Sequence, residues 1–375
     1  MTVGVIGGGI GGLAAAVSLL RAGHDVHVYE QSPRLSEVGA GVQVSPNASR
    51  VLHGLGLADA LAETGVQPLA WHQRRWDDGR TLLRAPIAAP TPHYQMHRAD
   101  LLAALAAAIP PDRIHLGHRL VGVDGTEARF ADGLRARFDV LVGADGIHST
   151  VRRLLFGPDA ARFTGCVAYR AVVPAERLRH LDLEVTAQIW MGPGRHFVHY
   201  FISGRRSVNF VAVVEQDRWT RESWTDRAEI ADVLAAFDGW HPQVREIISA
   251  ADETYVWALF DRPPMPRWSV GRVTLLGDAA HPMLPFMAQG AAQAIEDGAT
   301  LAALLPDAFD RYEQVRLPRT SRLQEMSAGN KTRFHLPDGP AQRDRDRELA
   351  AGSRAWSFNA LEWLYDYDAA AVLDR

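Results

Sequence analysis

Two short stretches of this chain combine glycine with a carboxylate in a way that suits phosphates and hydroxyls. Near the N-terminus, Gly7-Gly8-Gly9-Ile10-Gly11-Gly12 sets Gly7, Gly9 and Gly12 in a GxGxxG spacing. The first glycine permits a tight turn, the second lets backbone approach a pyrophosphate, and the third lets helix and strand pack closely. A helix starting there presents free N–H groups and its positive dipole end to phosphate. Glu30 follows at roughly the 20-residue distance such loops require, where its carboxylate can accept hydrogen bonds from a ribose diol. A carboxylate at that point disfavours a 2′-phosphate, so the expected dinucleotide is not NADP. This fingerprint alone does not separate FAD from NAD. Much later, Gly277-Asp278 follows the apolar run Arg272-Val273-Thr274-Leu275-Leu276. A carboxylate emerging there stands at the edge of a sheet where ligands bind in open α/β folds.

The elements that must position these residues are legible around them. Val3 to Ile6 reads as a buried parallel strand, and Leu13 to Ala22 as an Ala/Leu helix stopped by Gly23. Val26 and Val28 alternate toward Glu30, which completes a βαβ unit. Asp100 to Ile109 reads as a short helix. Asp139 to Gly143 reads as a second buried strand, and Gly290 to Leu305 as a helix. Between about Arg162 and Trp268 the pattern turns to short alternating runs, as in an antiparallel sheet inserted into the nucleotide fold. There His196, Val198 and Tyr200 share one face and His199 takes the other. Pro263-Pro264-Met265-Pro266 marks the return crossing.

The expected fold is thus α/β: a Rossmann-like domain with an inserted, mainly antiparallel-sheet substrate domain and a helical C-terminal tail. The nucleotide domain is expected over 1–70, 96–161 and 268–335, the substrate domain over 71–95 and 162–267, and the tail over 336–375. Its aromatic cluster, Trp356, Phe358, Trp363, Tyr365 and Tyr367, is expected to pack a terminal helix onto the body.

Composition narrows the classes. Charge is nearly balanced, at −4 with acidic and basic residues interspersed, which offers no footprint for nucleic acid or an anionic membrane. The lone Cys166 excludes internal disulfides, CxxC redox chemistry and cysteine-only metal sites, and reads as a small buried residue. No metal is expected. Val3 to Leu20 is apolar enough to resemble a membrane span, but its glycines and the absence of a preceding basic residue favour a strand-turn-helix. The chain is therefore expected to be cytoplasmic, a monomer or homodimer without a membrane partner.

Further motifs carry a resemblance. Gly143-Ala144-Asp145-Gly146-Ile147-His148-Ser149, with Val151 and Arg152, and Leu276-Gly277-Asp278-Ala279-Ala280-His281-Pro282 join the first fingerprint in order, together with Met96-His97-Arg98-Ala99-Asp100-Leu101. The chain resembles the class A flavoprotein monooxygenases, the single-component aromatic hydroxylases, over nearly its whole length. The resemblance implies FAD, with Asp278 on the ribityl hydroxyls and Arg98 reaching the cofactor. The turn Pro285 to Gln289 then leads through Gly290 and Ala291 into a helix whose N–H groups face the flavin pyrimidine. Two readings of Asp145 stand side by side, a cofactor contact and a local role beside Ser149 as helix cap. His281 reads as a structural partner.

The same resemblance implies a cycle: NADH or NADPH reduces FAD and leaves, O2 adds to give a flavin C4a-hydroperoxide, and an electron-rich phenol takes the distal oxygen. No second GxGxxG offers the nicotinamide a domain of its own, and the missing CxxC excludes disulfide reductases. A base near the phenol is expected. Gly192 to Phe197, with Tyr200, resembles the salicylate and 6-hydroxynicotinate hydroxylase branch, and in the 6-hydroxynicotinate enzymes a His and a Tyr at these positions are associated with substrate binding and activation. His196 and Tyr200 are the candidates, with Pro285 and Phe286 in the substrate pocket. Phe286 departs from the 6-hydroxynicotinate branch, which has histidine there, and this disfavours a pyridine. A carboxylated phenol is implied by resemblance, and Arg74, Arg75, Arg170 and Arg195 are equal candidates for its carboxylate. Two other readings are an oxygenase for a larger aromatic or alkaloid-like scaffold and a flavin-binding redox protein without turnover.

Overall fold

A computed structural model describes residues 1–35, 40–217, 219, 226–306, 308–352 and 361–371. Two large sheets dominate. The first runs in the order Ser269–Val270, Val273–Leu275, Val140–Gly143, Thr2–Ile6, Asp25–Glu30, Ile114–Leu116. Its pairings are parallel except that of the first two strands. Val3, Val5, Val140, Leu141 and Val142 are fully buried, as β-branched and apolar strands covered on both faces should be. The second sheet has eight strands, and only the pairing of Ala187–Gly192 with Ala70–Arg75 is parallel. The proline run Pro263 to Pro266 spans the gap between Thr254–Asp261 in this sheet and Ser269–Val270 in the first.

Two helices start earlier than local propensity suggests. The first covers Ile10–Arg21, so Gly11 and Gly12 already lie in it. Glycine is a poor helix former, but packing overrides propensity here. A Cβ on Gly12 would lie 2.0 Å from the Gly7 carbonyl oxygen, and Gly7 itself turns at φ +110°. The second covers Arg98–Ala107, because the His97 side chain caps it by accepting from the Ala99 N–H at 3.2 Å.

In the tail, Trp356 and Phe358 lie outside the described residues. Trp363 and Tyr365 sit on the short helix Glu362–Tyr365, and Pro340–Ala350 forms a longer one. Tyr367 and Trp363 lie under Arg319 and Arg322, at 3.9 and 3.7 Å from guanidinium carbon to ring centroid, on the long helix Phe309–Phe334. No helix among the described residues is long and apolar enough to cross a membrane.

Candidate active site

A cavity of about 420 Å³ lies between the carboxyl ends of the parallel strands and one face of the antiparallel sheet. One end is the glycine loop, at Gly9, Ile10 and Gly11. The middle holds Arg98, Gly277 and Asp278. The far wall carries His196, Val198 and Tyr200. The strand Arg195–Ile202 thus turns one alternate face to the cavity, while Phe197 packs into a separate apolar core behind it.

Asp278 is open to the cavity, yet protein surrounds its carboxylate. That confinement raises its pKa, opposed by the charges of His281, Arg98 and Arg152. The turn that aims it is pinned from behind. Asp297 accepts from the Gly277 N–H at 2.9 Å and pairs with His281 Nε2 at 2.6 Å. Asp297 also accepts from Arg316 Nε at 2.7 Å, and Arg316 bonds Glu296 as well. Arg319 adds two bonds to Glu296, each 2.8 Å. Glu296, Asp297 and Arg316 are all fully buried. His281 therefore has the structural role that its neighbours suggested.

Pro285, Phe286, Gln289, Gly290 and Ala291 line the cavity. Ala288 adopts a left-handed φ of +51°, a conformation costly for a residue with a Cβ, and this swings the chain into the helix Gly290–Leu304. The first N–H groups of that helix have no partner within it. The Gln289 amide is committed elsewhere: it accepts from Asn47 and Gln293 and donates to Ser45 Oγ at 2.9 Å. Its side chain fixes the turn, and the main chain beside it faces the cavity.

Gly7, Gly12, Glu30 and Asp145 do not line the cavity. Glu30 accepts from the Gly8 and Ser32 N–H groups at 2.7 and 2.8 Å, beside the glycine loop. Asp145 accepts from Ser149 Oγ and from the Thr150 and Val151 N–H groups at 2.7 and 3.0 Å. Of the two readings of Asp145, the local capping role is the one its contacts support. Arg152 explains the rest of that motif. Buried, it donates to the carbonyls of Ile147 and Ala279 at 2.7 and 2.9 Å and ties the second motif to the third.

Among the arginines, Arg75 pairs with Asp77 and Asp338, Arg74 packs over Trp190, and Arg195 bonds the Pro193 carbonyl. Arg170 is the one of the four that lines the cavity, stacked over Trp257 at 4.4 Å. Its Nε has no hydrogen-bond partner among the described residues, and none of the ion pairs among them involves it. Burial pulls its pKa down to about 10, so it stays cationic at neutral pH, with Tyr200 acting in the opposite direction. Strand alternation with Ala168 was the available sequence signal, but it could not show which face the cavity occupies.

The residues present fit FAD. Nothing lies within 4 Å of a Cβ built on Gly9, so the loop has an open face where a pyrophosphate would approach. Asp278 presents a carboxylate for ribityl hydroxyls, and a helix N-terminus closes the far side.

The family described as FAD binding domain matches residues 1–325. A 3-amino-4-hydroxybenzoate 2-monooxygenase of Streptomyces platensis is 42% identical, over 100% of this chain and 98% of its own length. A 6-hydroxynicotinate 3-monooxygenase of Pseudomonas fluorescens is 38% identical, over 88% of this chain and 90% of its own. A salicylate hydroxylase substrate complex superposes with a TM-score of 0.85 at 27% identity, covering 100% of this chain and 97% of that one.

Proposed function

Since the chain belongs to the class A FAD-dependent aromatic monooxygenases, we propose that it hydroxylates a small benzoate whose phenolic hydroxyl lies opposite its carboxylate. The observation that carries this reading is Arg170, a cation in the cavity with no acid paired to it among the described residues. A buried guanidinium favours a carboxylate ligand, and such charge-assisted bonds are strong. Tyr200 lies within its electrostatic reach, and burial raises the phenol pKa so far that Tyr200 stays a donor. His196 sits four positions before Tyr200 on the same strand face, about 13 Å away at Cα, and Arg170, two strands over, stands level with Val198 between them. An anchor on one strand and a base on another suit a para-hydroxybenzoate. Phe286 meets the His196 ring edge-on at 5.1 Å and offers apolar contact where a pyridine nitrogen would want a donor. The 3-amino-4-hydroxybenzoate of the Streptomyces relatives has this shape.

What the cofactor supplies when bound is an electrophilic oxygen drawn from O2 at the expense of NAD(P)H. The chain's own part is to hold the carboxylate at Arg170, take the phenolic proton at His196 and exclude water with Phe286, Phe334 and Val198. Residues 1–70, 96–161 and 268–335 are assigned to the cofactor and 71–95 and 162–267 to the substrate, with Gly7, Gly9, Gly12, Glu30, Arg98, Gly277 and Asp278 on FAD. The near absence of cysteine supports a cytoplasmic enzyme.

Arg170→Met tests the anchor. The KM for 3-amino-4-hydroxybenzoate should rise about 10- to 100-fold, as loss of a charged hydrogen bond costs roughly 1.5–3 kcal/mol. Turnover of 2-aminophenol, which lacks the carboxylate, should change little. An equal change for both compounds would remove Arg170 from this role.

A further inference from the structure

His196 poses a chemical problem. It is 3% exposed and enclosed by the edges of Phe286 and Phe334. Burial, and then the neighbouring His335, hold its pKa well below the ordinary value, so a lasting imidazolium there is disfavoured. A base that cannot hold its proton needs somewhere to send it.

The surrounding contacts provide a path. His196 Nδ1 lies 2.7 Å from His335 Nε2, and His335 Nδ1 lies 2.9 Å from Glu215 Oε1. His335 follows the long helix Phe309–Phe334, and Glu215 ends the strand Ser207–Glu215. The His335 side chain is 1% exposed and that of Glu215 is 44% exposed, so the line runs from cavity to solvent. Hydrogen-bond logic fixes the tautomers. An ionised Glu215 only accepts, so His335 Nδ1 carries a proton and its Nε2 is bare. His196 Nδ1 must then donate, which leaves His196 Nε2 bare for the cavity. The other charged or titratable groups around His335 are Lys331, Arg195 and Cys166.

We propose that His196, His335 and Glu215 form a proton relay that carries the substrate's phenolic proton from the cavity to bulk water. This rests on the reading of His196 as the base. The phenol O–H breaks and a bond forms at His196 Nε2. The His196 Nδ1–H breaks and a bond forms at His335 Nε2. The His335 Nδ1–H breaks, and Glu215 takes that proton and releases it to water. Phenolate remains in the cavity, both imidazoles end neutral, and no imidazolium is left buried. Reprotonation of the product runs the same path backwards and resets both tautomers. His335 and Glu215 touch no substrate; they are positioning residues that act through His196.

The test mixes FAD-loaded enzyme with 3-amino-4-hydroxybenzoate in weakly buffered phenol red, following proton release and phenolate absorbance by stopped flow. Wild type should release a proton as phenolate forms. Glu215→Gln keeps an acceptor for His335 but cannot take a proton, and its side chain is partly exposed, so folding should be retained. It and His335→Gln should slow both signals at least about tenfold, with FAD content unchanged. The deficit should shrink as pH rises and the compound arrives already ionised, a dependence that a merely structural defect would not show. If His196→Ala slows release but Glu215→Gln and His335→Gln do not, the relay is wrong and the base stands. If none of the three variants is slowed, or wild type releases no proton, both are wrong.

Discussion

Replacing His196 with alanine is expected to lower the rate of hydroxylated-product formation by about 10²- to 10⁴-fold, the usual contribution of a positioned general base. FAD content should be unchanged, because His196 belongs to the antiparallel sheet and the glycine loop and Asp278 lie across the cavity from it. A phenolate is a far better nucleophile than a phenol, so the loss should fall on the oxygen-transfer step. Product quantified at saturating reductant and substrate checks this. A smaller effect than Tyr200→Phe gives would reverse the two roles, making the tyrosine the more important partner of the hydroxyl.

Asp297→Ala is expected to destabilise the fold by roughly 3–5 kcal/mol, the cost of leaving a buried charge without one of its partners. Arg316 would keep Glu296, but His281 Nε2 and the Gly277 N–H would both lose an acceptor. The turn that aims Asp278 would be released with them, so FAD retention should fall together with stability. Urea unfolding monitored by circular dichroism, alongside flavin content after gel filtration, measures both. An unfolding free energy within 1 kcal/mol of wild type would contradict the role given to the cluster. The same carboxylate has a pH signature. Burial pushes its pKa up, but His281 and Arg316 more than offset this and hold it at about 2, below its ordinary 3.8. A carboxylate depressed on folding stabilises fully above the unfolded value and loses that contribution as pH falls toward the folded one. Its share should therefore be complete above about pH 4 and fade toward pH 2.

What the sequence disclosed follows the range of each interaction. The glycine loop, its strand and its helix lie within about thirty residues, and there spacing alone carries the meaning. The alternation of His196, Val198 and Tyr200 was legible for the same reason, since a strand's period of two is local. Helix starts were less so. Gly11 and Gly12 enter their helix because Gly12 must approach Gly7, and propensity argued the other way. The hidden parts of the site depend on contacts between distant segments. Gln289 serves Asn47 and Ser45, more than two hundred residues earlier, so its side chain fixes the turn and the main chain beside it faces the cavity. His335 fell at the end of the expected nucleotide domain, just before the tail, yet it bonds His196 of the inserted sheet. Arg170 was one of four equal arginines until burial and its stacking on Trp257 singled it out. Phe286, which departed from a histidine in a related branch, sits edge-on to His196, where it suits a benzene ring.

The central claim is that this cavity joins FAD, O2 and a para-hydroxybenzoate. FAD-loaded protein supplied with NADH or NADPH and 3-amino-4-hydroxybenzoate under ¹⁸O-labelled O2 tests it most directly. The account predicts that the benzoate accelerates reductant consumption and that one labelled oxygen appears on its ring. Protein that binds FAD but forms no labelled product, with reductant consumed at the same rate with and without the benzoate, would contradict it.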